Sequence, residues 1–357
     1  MIAMRSLRKV ASAHMSEVAG RPGACPPGTI QQRCSPTMSQ TSFPAEASPR
    51  SPLGLRFALL VPTCNPGASW AGFLQALAAQ TLQPDRVVFL DSESSDGSLE
   101  LSRAAGYPVW PVRQRDFNHG GTRQLGVDTF ARDMDVVVFM TQDALLASPD
   151  ALVQLLQGFA SPEVAAVWGR QLPGPQANPL AAHARLFNYP DSSRTVRLQD
   201  RAQLGLRTCF LSNSFAAYRV PQLQAVGGFS SGLILGEDMH LAARLLQAGN
   251  AIRYQAEACV YHFHNYTWRQ DLARSFDIGV FHASQPWLLE VFGAATGEGL
   301  RFVRSELRHL WRHAPARVAD AVVRTALKLA GYHLGRRHHS LPPAVRHRLS
   351  MHKGYWA

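Results

Sequence analysis

An apolar run, Val136–Met140 (VVVFM), passes directly into Thr141-Gln142-Asp143. A carboxylate at the end of a buried strand is costly to desolvate unless a cation meets it. Asp91 closes the run Val87–Leu90 in the same way, and Thr63 and Asn65 follow the stretch FALLVP (Phe57–Pro62). A third acidic position, Glu237-Asp238, opens the segment EDMHLAARLLQAGN, where Leu241, Leu245 and Ala248 recur at helical spacing before a Gly249 stop. Two acids in a first turn complement the helix dipole, worth about 0.3 to 1 kcal/mol. The same dipole would keep Asp238 ionised, ready to take a proton from a hydroxyl. His262 and His264 fall on one side of an extended stretch by its period of two. Arg123, after Gly120-Gly121, is a candidate contact for a diphosphate or a base, the glycines allowing close backbone approach.

These positions need a scaffold, and the chain supplies one from Phe57 onward. FALLVP, RVVFLD, PVWPV and DVVVFM read as strands, separated by the helical patterns WAGFLQALAAQ (Trp70, Phe73, Leu74 and Leu77 on one face), Leu99 to Ala105 and GGTRQLGVDTFAR. Continuous apolar strands alternating with helices predict an α/β fold with a mostly parallel sheet covered on both faces. A single Asp after a strand is ordinarily a turn or cap residue. Polar residues ending three strands in a row instead converge on one crevice beyond the carboxyl edge of the sheet. Ser148 ahead of Pro149 is the predicted cap of the next helix, which leaves Asp143 free.

Charge is unevenly spread. Residues 301–357 hold 12 Lys and Arg against two acids, and residues 1–54 hold six against two, while the body between holds 18 against 21. A mildly acidic body argues against a nucleic-acid enzyme. Residues 1–54, rich in Ser, Pro, Gly and Ala without a period, read as a disordered segment or the product of an upstream start codon. The domain body is expected over 55–295, with a basic amphipathic helical tail over 296–357. No apolar run reaches the roughly 18 to 20 residues that span a bilayer. No signal-peptide core opens the chain, and five scattered cysteines favour a reducing, cytoplasmic setting. The tail's apolar positions (Phe302, Leu307, Leu310, Trp311, Val318, Val322, Leu329) alternate with arginines. That pattern fits a helix packed on the body or a segment lying against an anionic membrane surface.

The first strand lacks a G-x-G-x-x-G turn, and no G-x-x-x-x-G-K-[ST] loop is present, so a phosphorylated ligand must be neutralised without a backbone cradle. A divalent metal, Mg²⁺ or Mn²⁺, held by carboxylates does this. In LLVPTCNPG, FLDSESSDGS, RDFNHGGTRQLG, FMTQDALL, GGFSSGLILGEDMHLAARLLQAG and VYHFHNYTWRQDLARSFDIGVFH, covering roughly residues 57–285, the chain resembles inverting family 2 glycosyltransferases of the GT-A fold. Within them it is similar to rhamnosyltransferases of O-antigen and related polysaccharide assembly.

The resemblance implies that Pro62, Thr63, Asn65 and Asp91 hold base and ribose, with Gln142 beside them, Asp91 accepting the imide N–H of uracil or thymine. FMTQDA stands where the family carries D-x-D, with Thr141 replacing the first Asp, so Asp143 becomes the metal carboxylate. A His after the ED helix joins it, here His262 or His264, and imidazole suits Mn²⁺ better than Mg²⁺. Asp238 becomes the general base, Glu237 positions it or the acceptor, and Asn118 and His119 contact sugar. The implied reaction moves L-rhamnose from dTDP-L-rhamnose, with inversion, onto a polyprenyl-diphosphate-linked or saccharide acceptor, at the inner face of the cytoplasmic membrane. Arg123 would help to offset charge on the leaving diphosphate. A UDP-hexose donor, and a non-catalytic membrane or nucleic-acid binding protein on a degenerate transferase body, are the competing readings.

Overall fold

The computed structural model describes residues 51, 53–293 and 297–356. The segment expected to be disordered, 1–54, lies outside the described residues except for Ser51, Leu53 and Gly54. Strands β1 (Phe57–Thr63), β2 (Arg86–Asp91), β3 (Val109–Pro111) and β4 (Val136–Met140) run parallel in the order β3-β2-β1-β4. Helices α1 (Trp70–Ala78), α2 (Ser98–Ala104) and α3 (His119–Phe130) connect them. The period of two sorts each strand between the faces. Phe57, Leu59 and Val61 join Val136, Val138 and Met140 in one cluster, and Ala58 and Leu60 join Val137 and Phe139 in the other. Both faces are dry, which is why these strands read as unbroken apolar runs.

After β4 the sheet becomes mixed. The next elements are β5 (Leu145–Leu146), α4 (Ala151–Gln157), β6 (Val164–Leu172), α5 (Pro179–Asn188), β7 (Arg194–Val196) and α6 (Arg201–Leu204). Then come β8 (Phe215–Arg219), α7 (Val220–Ala225), α8 (Glu237–Gln247) and β9 (Ala251–Tyr261). β8 pairs antiparallel with both β4 and β6, β9 runs parallel to β6, and β5 and β7 pair antiparallel with β9. Helix α4 starts at Ala151, later than the expected Ser148 cap, and Gln80 from the α1 side accepts the Leu152 N–H at 3.1 Å. A long-range amide therefore performs the capping that the local sequence offered to a serine.

The chain ends in helices α9 (Trp268–Ser284), α10 (Pro286–Phe292), α11 (Glu298–His313), α12 (Val318–Arg336) and α13 (Pro343–Leu349). Helix α12 lies directly on α9, because glycines let the backbones touch. A Cβ on Gly335 would stand 2.0 Å from the Phe276 carbonyl, and one on Gly331 2.3 Å from that of Leu272. Arg324 ties the pair by bonding Asp271 at 2.5 Å and Asp320 at 2.9 Å. The tail's apolar positions divide: Leu310 is fully buried, whereas Trp311 (73%), Val322 (56%) and Leu329 (57%) stand in solvent. Among the described residues no helix is long and apolar enough to cross a membrane.

Candidate active site

The carboxyl ends of β1, β2 and β4 meet as the topology requires. Asp91 is buried, and its carboxylate accepts from Thr63 Oγ1 (2.9 Å), Ser94 Oγ (2.6 Å) and the Ser94 N–H (2.9 Å). Asn65 takes a left-handed backbone (φ 46°), donates its N–H to Ser94 Oγ and accepts from the Ser95 N–H, both at 2.8 Å. Asn tolerates that conformation better than most residues. Gln142 clamps the same loop, accepting the Cys64 N–H at 2.7 Å and donating to the Cys64 carbonyl at 3.0 Å. Pro62, in β1, shares this wall. The two loops are thus locked together before any ligand arrives, with part of Asp91's accepting capacity left over.

A second corner gathers Asp143, His262 and His264, whose ligand atoms all lie within 4.8 Å of one another. His262 Nε2 stands 3.3 Å and His264 Nε2 3.7 Å from Asp143 Oδ2. Both histidines lie just past the end of β9 rather than on it, and their rings meet edge to face at 4.7 Å. Burial works against the Asp143 charge, but His262, then Thr141 and His264, outweigh it and hold the carboxyl well below the usual range. Burial and His262 push His264 down to about 4, so its ring is neutral. His262 Nδ1 is engaged by Gln171 Oε1 at 2.8 Å, and Arg185 fixes that amide at 2.6 Å. A ligating histidine ordinarily bonds an oxygen through its far nitrogen in this manner. One carboxylate and two oriented neutral-capable imidazoles fit a divalent cation.

The third corner is the start of α8. Glu237 and Asp238 occupy its first turn as expected. Asn213 spans them, its N–H donating to Asp238 Oδ2 (3.1 Å) and its Nδ2 to Glu237 Oε1 (3.0 Å), while Tyr218 Oη bonds its Oδ1 at 2.6 Å. The Met239 N–H holds Asp238 Oδ1 at 2.8 Å. Glu237 is buried against Arg123, 3.2 Å away. Burial disfavours its charge, but Arg123, His119 and Asn213 together keep it below the ordinary range.

Asp238 goes the other way. Burial first, and then Glu237 beside it, push it up to about 7 despite the two backbone N–H bonds. The expectation that the helix dipole keeps it a low-pKa carboxylate is therefore corrected: a neighbouring buried charge outweighs the half-charge of a helix end.

Two further residues have partners within the protein. Arg123 is buried, paired with Glu237 and donating to the His119 carbonyl at 2.9 Å, so it is a counter-ion within the protein rather than a free diphosphate contact. Asn118 caps α3, accepting the Gly120 and Gly121 N–H groups at 3.1 and 2.9 Å. Gly120 is needed there because a Cβ would lie 1.9 Å from the Ser230 carbonyl oxygen. The ring of His119 stands by Glu237 and Arg123 and is held neutral by burial. Asn213 and Gln171 escaped sequence reading. Their only signal was a polar residue beside or within an apolar strand, in LSNSF and in the β6 run.

Residues 54–276 match the family model described as glycosyltransferase like family 2. The chain is a family 2 glycosyltransferase. It is 46% identical over 303 residues to the O-antigen chain rhamnosyltransferase RfbN of Salmonella typhimurium, covering 85% of this chain and 96% of that protein. It is also 46% identical over 301 residues to the O-antigen chain rhamnosyltransferase WbaN of Salmonella anatum, covering 84% of this chain and 95% of that one. Among solved structures, the mannosyltransferase PcManGT of Pyrobaculum calidifontis, in complex with GDP-Man and Mn²⁺, superposes with a TM-score of 0.55 at 17% identity. That match covers 79% of this chain and 87% of the other, and it bears on the fold alone. The fold of this family 2 enzyme is GT-A-like, a curled mixed sheet flanked by helices.

Proposed function

We propose that this glycosyltransferase moves L-rhamnose from dTDP-L-rhamnose, with inversion, onto a lipid-linked or saccharide acceptor of O-antigen assembly. The observation that carries the donor is the 46% identity to two O-antigen rhamnosyltransferases along nearly their whole length. In the reaction an acceptor hydroxyl attacks the anomeric carbon from the face opposite the nucleotide. Its proton passes to Asp238, and the electron pair of the breaking C–O bond leaves with the diphosphate.

A carboxylate whose pKa lies near 7 is matched to that task, accepting a proton without being too weak a base. Glu237, kept ionised by Arg123, sustains that proton affinity, and protonation of Asp238 relieves the repulsion between them. Asn213 and the Met239 N–H orient the accepting oxygens. Asp91, Thr63, Ser94 and Asn65 form the wall for base and ribose.

Asp143, His262 and His264 would hold a divalent cation, which when bound supplies positive charge opposite the leaving diphosphate. Two imidazoles favour Mn²⁺ over Mg²⁺. On this reading residues 55–295 form the transferase body and residues 296–357 a basic segment docked through α12 on α9. The outward Trp311 with the exposed Arg304, Arg308 and Arg312 on α11, and the outward Val322 and Leu329 on α12, support peripheral contact with the anionic cytoplasmic membrane face, at about 1 kcal/mol per basic residue.

The deciding experiment incubates the protein with labelled dTDP-L-rhamnose, UDP-glucose and UDP-galactose over a glycolipid extract. Product from the first alone is expected; product only from a UDP-hexose transfers the assignment to that donor. For the membrane contact, Trp311→Ser with Arg308→Ser and Arg312→Ser should cut co-flotation with anionic vesicles while leaving the fold intact. Undiminished flotation rejects it.

A further inference from the structure

We infer that the C-terminal segment Ser350–His352 is part of the active site, and that His352 is a positioning residue that sets His119 for the acceptor hydroxyl. The inference rests on the reading of Glu237 and Asp238 as the catalytic carboxylates. After α13 the chain turns back toward the start of α3. Ser350 is buried, and the Met351 N–H donates to Asp277 Oδ2 on α9 at 2.9 Å, where Asp277 is wholly buried. The His352 N–H donates to Ser350 Oγ at 3.0 Å, fixing the turn. His352 Nδ1 then stands 3.4 Å from His119 Nε2, the rings perpendicular at 5.0 Å between centroids. His119 in turn offers its carbonyl to Arg123, the counter-ion of Glu237, and packs its ring edge on Phe117 at 5.1 Å. His352 is thereby three contacts from the acid pair, through His119 and Arg123.

The chemistry of that contact is specific. Both rings are neutral because burial, with Arg274 adding to it, holds each below its ordinary value, against the opposing charges of Glu237 on His119 and Asp277 on His352. Two neutral imidazoles bond only when one nitrogen donates and the other accepts. The contact therefore couples the tautomer of His119 to that of His352: when Nε2 of His119 donates, its other nitrogen accepts, and when Nε2 accepts, the other nitrogen donates. A ring coupled in that way orients a sugar hydroxyl against Asp238. Half-buried, paired and carried by a segment whose anchor is an α9 carboxylate, His352 has the surroundings of a supporting group rather than of a surface residue.

The test uses the full chain, with steady-state transfer, acceptor-independent release of nucleoside diphosphate, nucleotide affinity and thermal unfolding measured together. His352→Ala should lower kcat for transfer by about ten- to a hundredfold. Nucleotide affinity, acceptor-independent release and melting temperature should stay close to wild type. His352→Asn, whose amide both donates and accepts, should recover most of the loss. Full transfer by His352→Ala overturns the inference. So does a loss that His352→Asn fails to recover and that follows the fall in melting temperature, since that is packing alone. All variants are assayed with whichever nucleotide sugar the wild type turns over, and Asp238→Asn runs alongside. A wrong donor or a wrong base is then read from controls that do not involve residue 352.

Discussion

Asp143 and Asp238 are the same side chain at one rim of one fold, and their surroundings drive them in opposite directions. Asp143 faces two imidazoles and is pulled well below the ordinary range, although burial opposes it. Asp238 loses water and faces a buried glutamate that Arg123 keeps ionised, and it rises to about 7. The first surrounding keeps a negative charge available to a cation; the second keeps a place available to a proton. What separates them is the neighbour: Asp143, still partly in solvent, accepts a hydrogen bond from the His262 side, whereas Asp238 is desolvated next to a second carboxylate.

The sharpest way to break this comparison is to remove the proton acceptor. Asp238→Asn should lower transfer by about a thousandfold or more, while nucleotide affinity measured by calorimetry stays within a few-fold. Retained turnover would mean that the acid pair is only a helix start. At the other corner, Asp143→Asn should weaken Mn²⁺-supported binding of dTDP by about ten- to a hundredfold, the scale typical of disturbed metal sites. Metal-free nucleotide binding should be unaltered, and equal loss with and without Mn²⁺ would show that Asp143 serves the fold instead.

Gly120→Ala tests the support beneath the base corner. Its Cβ would meet the Ser230 carbonyl at 1.9 Å and approach Glu237 at 3.4 Å, so an overpacking loss of about 1–3 kcal/mol in stability is expected from denaturant unfolding. A neutral result would mean that the 230 loop yields freely.

The smallest effect is the most diagnostic of the raised pKa. A carboxyl whose pKa is higher folded than unfolded makes the folded state bind its proton more tightly, so stability declines as pH rises from about 4 to about 7. Asn mimics the protonated group, so Asp238→Asn should unfold at a higher temperature than wild type at pH 8 and not at pH 4. Wild-type kcat should climb through a midpoint near 7, by at most about tenfold per pH unit. A flat profile from pH 6 to 8 would remove Asp238 from the rate-determining proton transfer.

Much of this was legible in the chain. The parallel half of the sheet follows from β1, β2 and β4 being apolar on both faces, a pattern that no other element would bury. Glu237-Asp238 at a helix start follows from the spacing of Leu241 and Leu245 and from Gly249. The convergence of His262 and His264 with Asp143 was suggested by their spacing and by family likeness, although the rings extend beyond the strand. Less was legible where partners come from afar. Asn213 bridges both acids from just before β8, Gln171 steers His262 from β6, and Gln80, just after α1, caps α4 on the same face of the sheet. None of them sits in a pattern, because a polar side chain with a remote partner leaves no period behind.

The sequence by itself determined the strands, the helix starts and the residue types assembled at the rim, because burial periodicity and turn chemistry act over a few residues. The tertiary structure alone decided which carboxyl would hold a proton, what Arg123 would neutralise and where His352 would come to rest. Those depend on distance between charges and on loss of water, and both are set only when elements far apart in the chain have packed.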